Sequence, residues 1–276
     1  MIKKIVLTGA AGKLGRRLRQ PLAAICEVLV SSDIVPLQPV AGNELVVSCD
    51  LADGAAVDAL LEGADAVVHF AGYPREASWD VILPANILSV TNLWEAAVKH
   101  GVRRIVYAST NHVVGFHPVD QHIDVNAEIK CDSRYGVSKA FTEIMARFYY
   151  EKFGVESLGI RIGRCEDLPT DERMMSTWVH PEDLTAIVKL GIEGRVAADV
   201  VYGLSNNAKG WCSNPPQAQF PFQPRHSADD YRLPDQAVSG TGSNWPFQGG
   251  PFAANEYVGE VARAAEFYRV TPNKEN

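Results

Sequence analysis

Paired cysteines, long apolar runs and an excess of positive charge are all missing from this chain. Its five cysteines (Cys26, Cys49, Cys131, Cys165 and Cys212) lie far apart, with no C-x-x-C pair. Thiolate metal binding is therefore not expected, no disulfide framework is suggested, and a reducing cytoplasm is the expected location. No run reaches the roughly 18 apolar residues of a membrane span, so no membrane partner is expected. Ile5-Val6-Leu7, behind the N-terminal lysines, is too short for a signal-peptide core. Lys and Arg number 26 against 33 Asp and Glu, a net charge of −7, which argues against nucleic acid as a partner. A small anionic ligand remains compatible, because one well-placed Arg outweighs the global field. Internal repeats and low-complexity tracts are also absent.

What is present is an alternation of short apolar runs with helical patterns. Strands are predicted at 3–8, 27–32, 45–48, 66–70, 104–109 and 157–162, and helices at 12–24, 55–61, 79–99 (bent near Pro84) and 135–153. This βαβα order predicts an α/β fold, a doubly wound parallel sheet covered by helices on both faces. The 276 residues suit one Rossmann-type domain, with a cofactor-binding core over about 1–163 and a substrate-covering part over about 164–276. In that second part 181–191 reads as helix, 199–203 as strand and 254–270 as a final helix. The Pro- and Gly-rich stretches at 214–224 and 236–252 read as loops anchored by Trp211, Phe220, Phe222, Trp245, Phe247 and Phe252.

The run from Thr8 to Gly15 follows a strand and opens a helix. Glycines there let backbone N–H groups approach a pyrophosphate at the positive end of the helix. Gly9, Ala11, Gly12, Lys13, Leu14 and Gly15 are the candidate contacts. Asp33 ends the second strand, where a carboxylate accepts ribose hydroxyls and repels a 2′-phosphate, so NAD is expected over NADP. Lys13 and Arg16 act in the opposite sense. Asp50 and Leu51 follow the third strand, beside the expected adenine; Phe70, Ala71 and Gly72 end the fourth. Ser109 and Ile162, at the ends of the next two strands, complete the set with Tyr135 and Lys139.

Tyr135 and Lys139 are four residues apart, so on a helix they share a face. A phenol is a poor base at neutral pH, and a neighbouring ammonium is expected to lower its pKa. With a hydroxyl from Ser109 or Thr110, the pair can remove an alcohol proton while hydride passes to the nicotinamide, without a metal.

These three signals, in this order, resemble the extended short-chain dehydrogenase/reductase superfamily. That resemblance places the catalytic hydroxyl on Thr110, five residues before Gly115, and gives Asn86 a part in holding cofactor and helix together. Five strings resemble the uronate dehydrogenases: Ser109–Gly115, Tyr135–Lys139, Arg161–Gly163, Arg173–Trp178 and Phe247–Gly250. The resemblance implies NAD-linked oxidation of the anomeric carbon of galacturonate or glucuronate to an aldaric lactone. It puts Thr110, Asn111, His112 and Tyr135 on the sugar and Arg173 on its carboxylate. A homo-oligomer is expected. Two family serines are replaced, by Pro74 and Arg164, and Arg75 and Arg164 are expected to add positive charge beside the pocket. Aldose and sugar-phosphate dehydrogenases are the nearest alternatives. A nucleotide-sugar dehydratase needs an acid pair where Asn111-His112 stands, and a non-catalytic dinucleotide sensor needs neither Tyr135 nor Lys139.

Overall fold

The computed structural model describes residues 2–231 and 245–258. The sheet is built from β1 (Ile2–Thr8), β2 (Cys26–Asp33), β3 (Glu44–Ser48), β4 (Ala66–His69), β5 (Arg104–Thr110), β6 (Glu156–Ile162) and a strand at Ala198–Gly203. Two-residue strands at Arg164–Cys165 (β7) and Trp178–Val179 (β8) form a separate parallel pair, which makes the last sheet strand β9. The order is β3-β2-β1-β4-β5-β6-β9, with every pair parallel. The chain thus starts in the middle of the sheet, winds one way, and returns between β1 and β5. That reversal opens a crevice at the carboxyl ends of the strands.

The helices are α1 (Lys13–Ala23), α2 (Gly54–Leu61), α3 (Trp79–Ile82), α4 (Ser89–His100), α5 (Arg134–Phe153), α6 (Met174–Thr177), α7 (Pro181–Glu193) and α8 (Pro251–Ala254). Side chains alternate along each strand. Ile5 and Leu7 therefore face one core with Leu18, Leu22, Ile187 and Val188 of α1 and α7. Val6 and Ile105 face the other, with Leu93, Trp94, Ala97 and Tyr149 from α4 and α5. Residues 181–203 complete the main sheet and its cover, so the sugar-covering part expected after residue 163 is interrupted by core structure.

The single helix expected over 79–99 is α3 and α4 joined by a π-helical stretch, Leu83–Leu88. Pro84 supplies no N–H, and the wider turn accommodates that loss. The stretch Trp79–His100 is long and apolar enough to cross a membrane, but here it is a core helix that buries Ile82, Val90, Leu93 and Trp94. Phe220, Phe222 and Phe247 are buried as expected of loop anchors. Ala254 closes α8, and 255–258 are turn and coil; the rest of the helix expected over 254–270 lies outside the described residues.

A buried ion pair joins α5 to the sheet. Arg161 of β6 donates to both oxygens of Glu143 at 3.0 and 2.9 Å, and Ser109 of β5 donates to Glu143 Oε1 at 2.6 Å. Removing one partner strands a charge in the core, so Arg161→Met is expected to cost about 3–5 kcal/mol in chemical denaturation.

Candidate active site

The turn between β1 and α1 closes on itself, with Gly12 N donating to Gly9 O at 3.0 Å. A Cβ on Gly15 would lie 2.0 Å from the Gly9 carbonyl oxygen, and one on Gly9 would lie 2.5 Å from Ala71 N. Only glycine permits that approach, which brings the turn down onto the end of β4. Asp33 pins the loop to β2, accepting from Ala11 N at 2.9 Å and from Val35 N at 3.1 Å. A carboxylate has about four acceptor positions, so capacity for ribose hydroxyls remains.

A cleft of about 560 Å³ opens beside this turn. Gly9, Ala11, Gly12 and Asp33 line one side; Asp50, Leu51, Phe70, Ala71 and Gly72 line the other. Its lining suits the adenosine and pyrophosphate of a dinucleotide. Lys13 instead turns to an ion pair with Glu166, and Leu14 packs against the core. Asp167 receives Arg17 through two contacts, at 2.8 and 2.7 Å, so the segment after β7 is strapped to α1.

Asn86 links the cleft to α5. Its side chain accepts from Tyr73 N at 2.7 Å and donates to Tyr73 O at 3.1 Å and Ser138 Oγ at 2.9 Å. Ser133 caps α5 by accepting from Gly136 N, which starts the helix one residue before Tyr135. Lys139 is 4 % exposed, and its ammonium has no hydrogen-bond partner among the described residues. Burial lowers its pKa to about 8. Tyr135 does not show the depressed pKa expected from an adjacent ammonium. Burial pushes it up to about 12; a hydrogen bond with the Thr110 hydroxyl opposes the rise, and the charge of Asp132 adds to it. Ser109 is engaged with Glu143, so Thr110 is the hydroxyl beside the phenol. An unpartnered ammonium one helical turn from a phenol on α5 fits the ribose and nicotinamide half of NAD.

Past the phenol lie the side chains expected on the sugar. His112 is almost buried, stacks on Phe252 at 3.9 Å and meets Tyr135 edge-on at 6.2 Å. Its Nδ1 lies 2.7 Å from Asp132 Oδ2. Arg173 donates through Nε (3.0 Å) and Nη2 (2.8 Å) to the Gln248 carbonyl. With its amide turned to satisfy both neighbours, Asn111 accepts from Arg173 Nη2 at 2.8 Å and donates to Ile162 O at 3.3 Å. No ion pair joins Arg173 to a carboxylate among the described residues, and burial lowers its pKa. Asp171 caps Met174 N and acts on Arg173 only through its field, and Glu172 pairs with Lys209.

Residues 5–183 match the NAD dependent epimerase/dehydratase family. The chain belongs to that family. A uronate dehydrogenase from Pseudomonas putida is 42 % identical over 255 residues, covering 91 % of this chain and 95 % of its own. A mutant uronate dehydrogenase from Agrobacterium tumefaciens, solved in complex with NAD, superposes with a TM-score of 0.84 at 37 % identity. That match covers 92 % of this chain and 98 % of the other. A more distant relative, an NAD-dependent glucose-6-phosphate dehydrogenase from Haloferax volcanii, is 30 % identical over 77 % of this chain and 89 % of its own.

Against this epimerase/dehydratase framework two expected residues stand apart from the pocket. Arg164 is largely exposed and pairs with Glu166 at 3.1 Å, though its charge still reaches Arg173. Arg75 is exposed beside Glu76, which binds Arg134 Nη1 at 2.6 Å and Tyr135 N at 3.2 Å. Asp132 was not singled out from the sequence, Gln248 only lay inside the Phe247–Gly250 string, and Phe252 was read only as a loop anchor. Asp132 had one local signal, an acid just before the Ser that caps the Tyr135 helix.

Lys139 supplies a pH test of this geometry. Its folded pKa, about 8, lies below the ordinary lysine value of 10.5. The charged form therefore destabilises the fold below pH 8, and stability is regained as pH rises from 8 towards 10.5. Lys139→Met removes that penalty. The variant is expected to be more stable than the parent by on the order of 3 kcal/mol at pH 7. Parallel denaturation at pH 7 and 10 should show the gap narrowing.

Proposed function

We propose that this chain is an NAD-dependent dehydrogenase that oxidises C1 of a hexuronate, of the glucuronate or galacturonate type, to the aldaric lactone. The observation that carries the reading is Arg173, a mostly buried guanidinium with no carboxylate ion pair among the described residues, which binds Asn111 next to Thr110 and shares the field of Asp132 with Tyr135. Its two Nη1 hydrogens have no partner among the described residues. A guanidinium holds a planar carboxylate through paired hydrogen bonds, which fixes the sugar's orientation.

NAD, when bound, supplies the hydride acceptor and two riboses, the nicotinamide ribose suiting Lys139 and the adenine ribose suiting Asp33. Tyr135 takes the proton of the C1 hydroxyl while the C1 hydrogen leaves with its electron pair and C1–O becomes the lactone carbonyl. Thr110 hydrogen-bonds the phenol and favours the phenolate. Lys139 holds positive charge on the same helical face, where it stabilises the phenolate as it forms. Asn111 and His112 hold the sugar hydroxyls. In this reading Arg164 and Arg75 act on the anion through their field. Residues before 163 chiefly carry the cofactor, and 164–177 with 204–231 and 245–258 cover the sugar.

A free thiol state for all five cysteines accords with the reducing cytoplasm assigned to it. Val137, Ile144 and Phe148, exposed along one side of α5, support a homo-oligomer.

The test is an assay with NAD against uronates, neutral aldoses and sugar phosphates, following reduced-cofactor absorbance. Turnover of uronates is expected, and none with any sugar would refute the dehydrogenase. A preference for sugar phosphates would move the chain to the alternative that its Haloferax relative illustrates. Tyr135→Phe should keep NAD binding and lose about a hundredfold or more in kcat. Arg173→Met should raise KM for uronates by about tenfold or more, Arg164→Ser by less than about threefold.

A further inference from the structure

We infer that Asp132 is a positioning residue which fixes the tautomer of His112, so that His112 Nε2 reads a substrate hydroxyl as a hydrogen-bond acceptor. The inference rests on the dehydrogenase reading. A carboxylate only accepts, so an imidazole nitrogen 2.7 Å from Asp132 Oδ2 must carry the proton. That leaves Nε2 with its lone pair in the neutral ring. Nε2 has no partner among the described residues, although the side chain is only 10 % exposed. The ring stacks on Phe252 and meets Tyr135 edge-on, so its orientation is restricted next to the phenol ring.

The surroundings are built to keep an acceptor at position 132. Ser133 Oγ already accepts from Gly136 N at 3.0 Å, so it gives its own proton to Asp132 Oδ1 at 2.8 Å. Both carboxylate oxygens are thus matched to donors, and an amide could serve only one of them. A Cβ on Gly115 or on Gly249 would lie 1.9 Å from Asp132 Oδ2. Two glycines therefore make the slot that admits the carboxylate. The charge of Asp132 also acts favourably on the Arg173 guanidinium, so a neutral His112 does not leave the carboxylate uncompensated.

The experiment measures two things on the full chain. Nitrogen NMR of 15N-histidine protein should show His112 with Nδ1 protonated and Nε2 bare. A ring protonated at Nε2, alone or together with Nδ1, overturns the inference whether or not any variant folds. Steady-state kinetics of Asp132→Asn should show KM for the uronate raised about tenfold, with kcat within about threefold and NADH affinity unchanged. His112→Phe, which keeps the stacking surface, should raise KM by a similar factor. Unchanged KM in a folded Asp132→Asn also overturns it. Failure of the parent protein to oxidise any uronate instead defeats the functional reading, and the ring spectrum still reports the tautomer.

Discussion

The Glu143 carboxylate fixes where the reactive phenol stands. It accepts from Ser109 at the end of β5 and from Arg161 near the end of β6, while its own backbone belongs to α5. Tyr135, Lys139 and Glu143 are spaced i, i+4 and i+8, so they lie along one side of that helix. Holding Glu143 against two strand ends therefore sets both the height and the rotation of α5 over the sheet. Thr110 is the next residue after Ser109, and its hydroxyl meets the phenol as a consequence. The bond is stronger for being dry, and for the same reason it tolerates no loss of a partner.

The parallel strands were legible because all but the edge strand β3 are largely buried and read as compact apolar runs. Their ends differ from the expectation by a residue or two, the usual uncertainty of such boundaries. The phosphate loop and the Tyr135–Lys139 pair were legible because their spacing is local. What escaped depends on long-range pairing. β7 and β8 have only two residues each and exist because Trp178 packs over the segment after Gly163, its indole donating to Glu166 O at 2.9 Å. Asp132 reaches His112 across 20 residues, and Gln248 reaches Arg173 across 75. The placement of Arg164 turned on Glu166, two residues away, whose carboxylate also gathers Lys13 from the phosphate loop.

The pKa of Tyr135 marks a different limit. Spacing locates an ammonium near the phenol, but it says nothing of how much water the pair loses. In the folded chain desolvation dominates both groups, raising the phenol and lowering the amine. Both changes favour the neutral forms. The protein alone therefore rests with a protonated phenol, and the base is formed where a substrate hydroxyl and further positive charge meet it. Keeping the base uncharged until then follows from burial itself.

The same accounting explains why a chain of net charge −7 holds unanswered cations at its centre. Lys139 is deeply buried and Arg173 mostly so, and neither has a carboxylate ion pair among the described residues. A protein carboxylate at either place would stabilise the fold and occupy the position a ligand needs. Asp132 is close enough to act on Arg173, yet its oxygens are taken by His112 and Ser133. In the proposed reading a uronate would restore the missing charge at Arg173, whereas a neutral aldose would exclude water from the guanidinium and return nothing. Leaving buried donors unpaired is a severe penalty, and it discriminates more strongly than the loss of a packing contact. On the proposed function, selection for an acid would thus come from what the pocket withholds from Arg173, with no contact needed from Arg164 or Arg75.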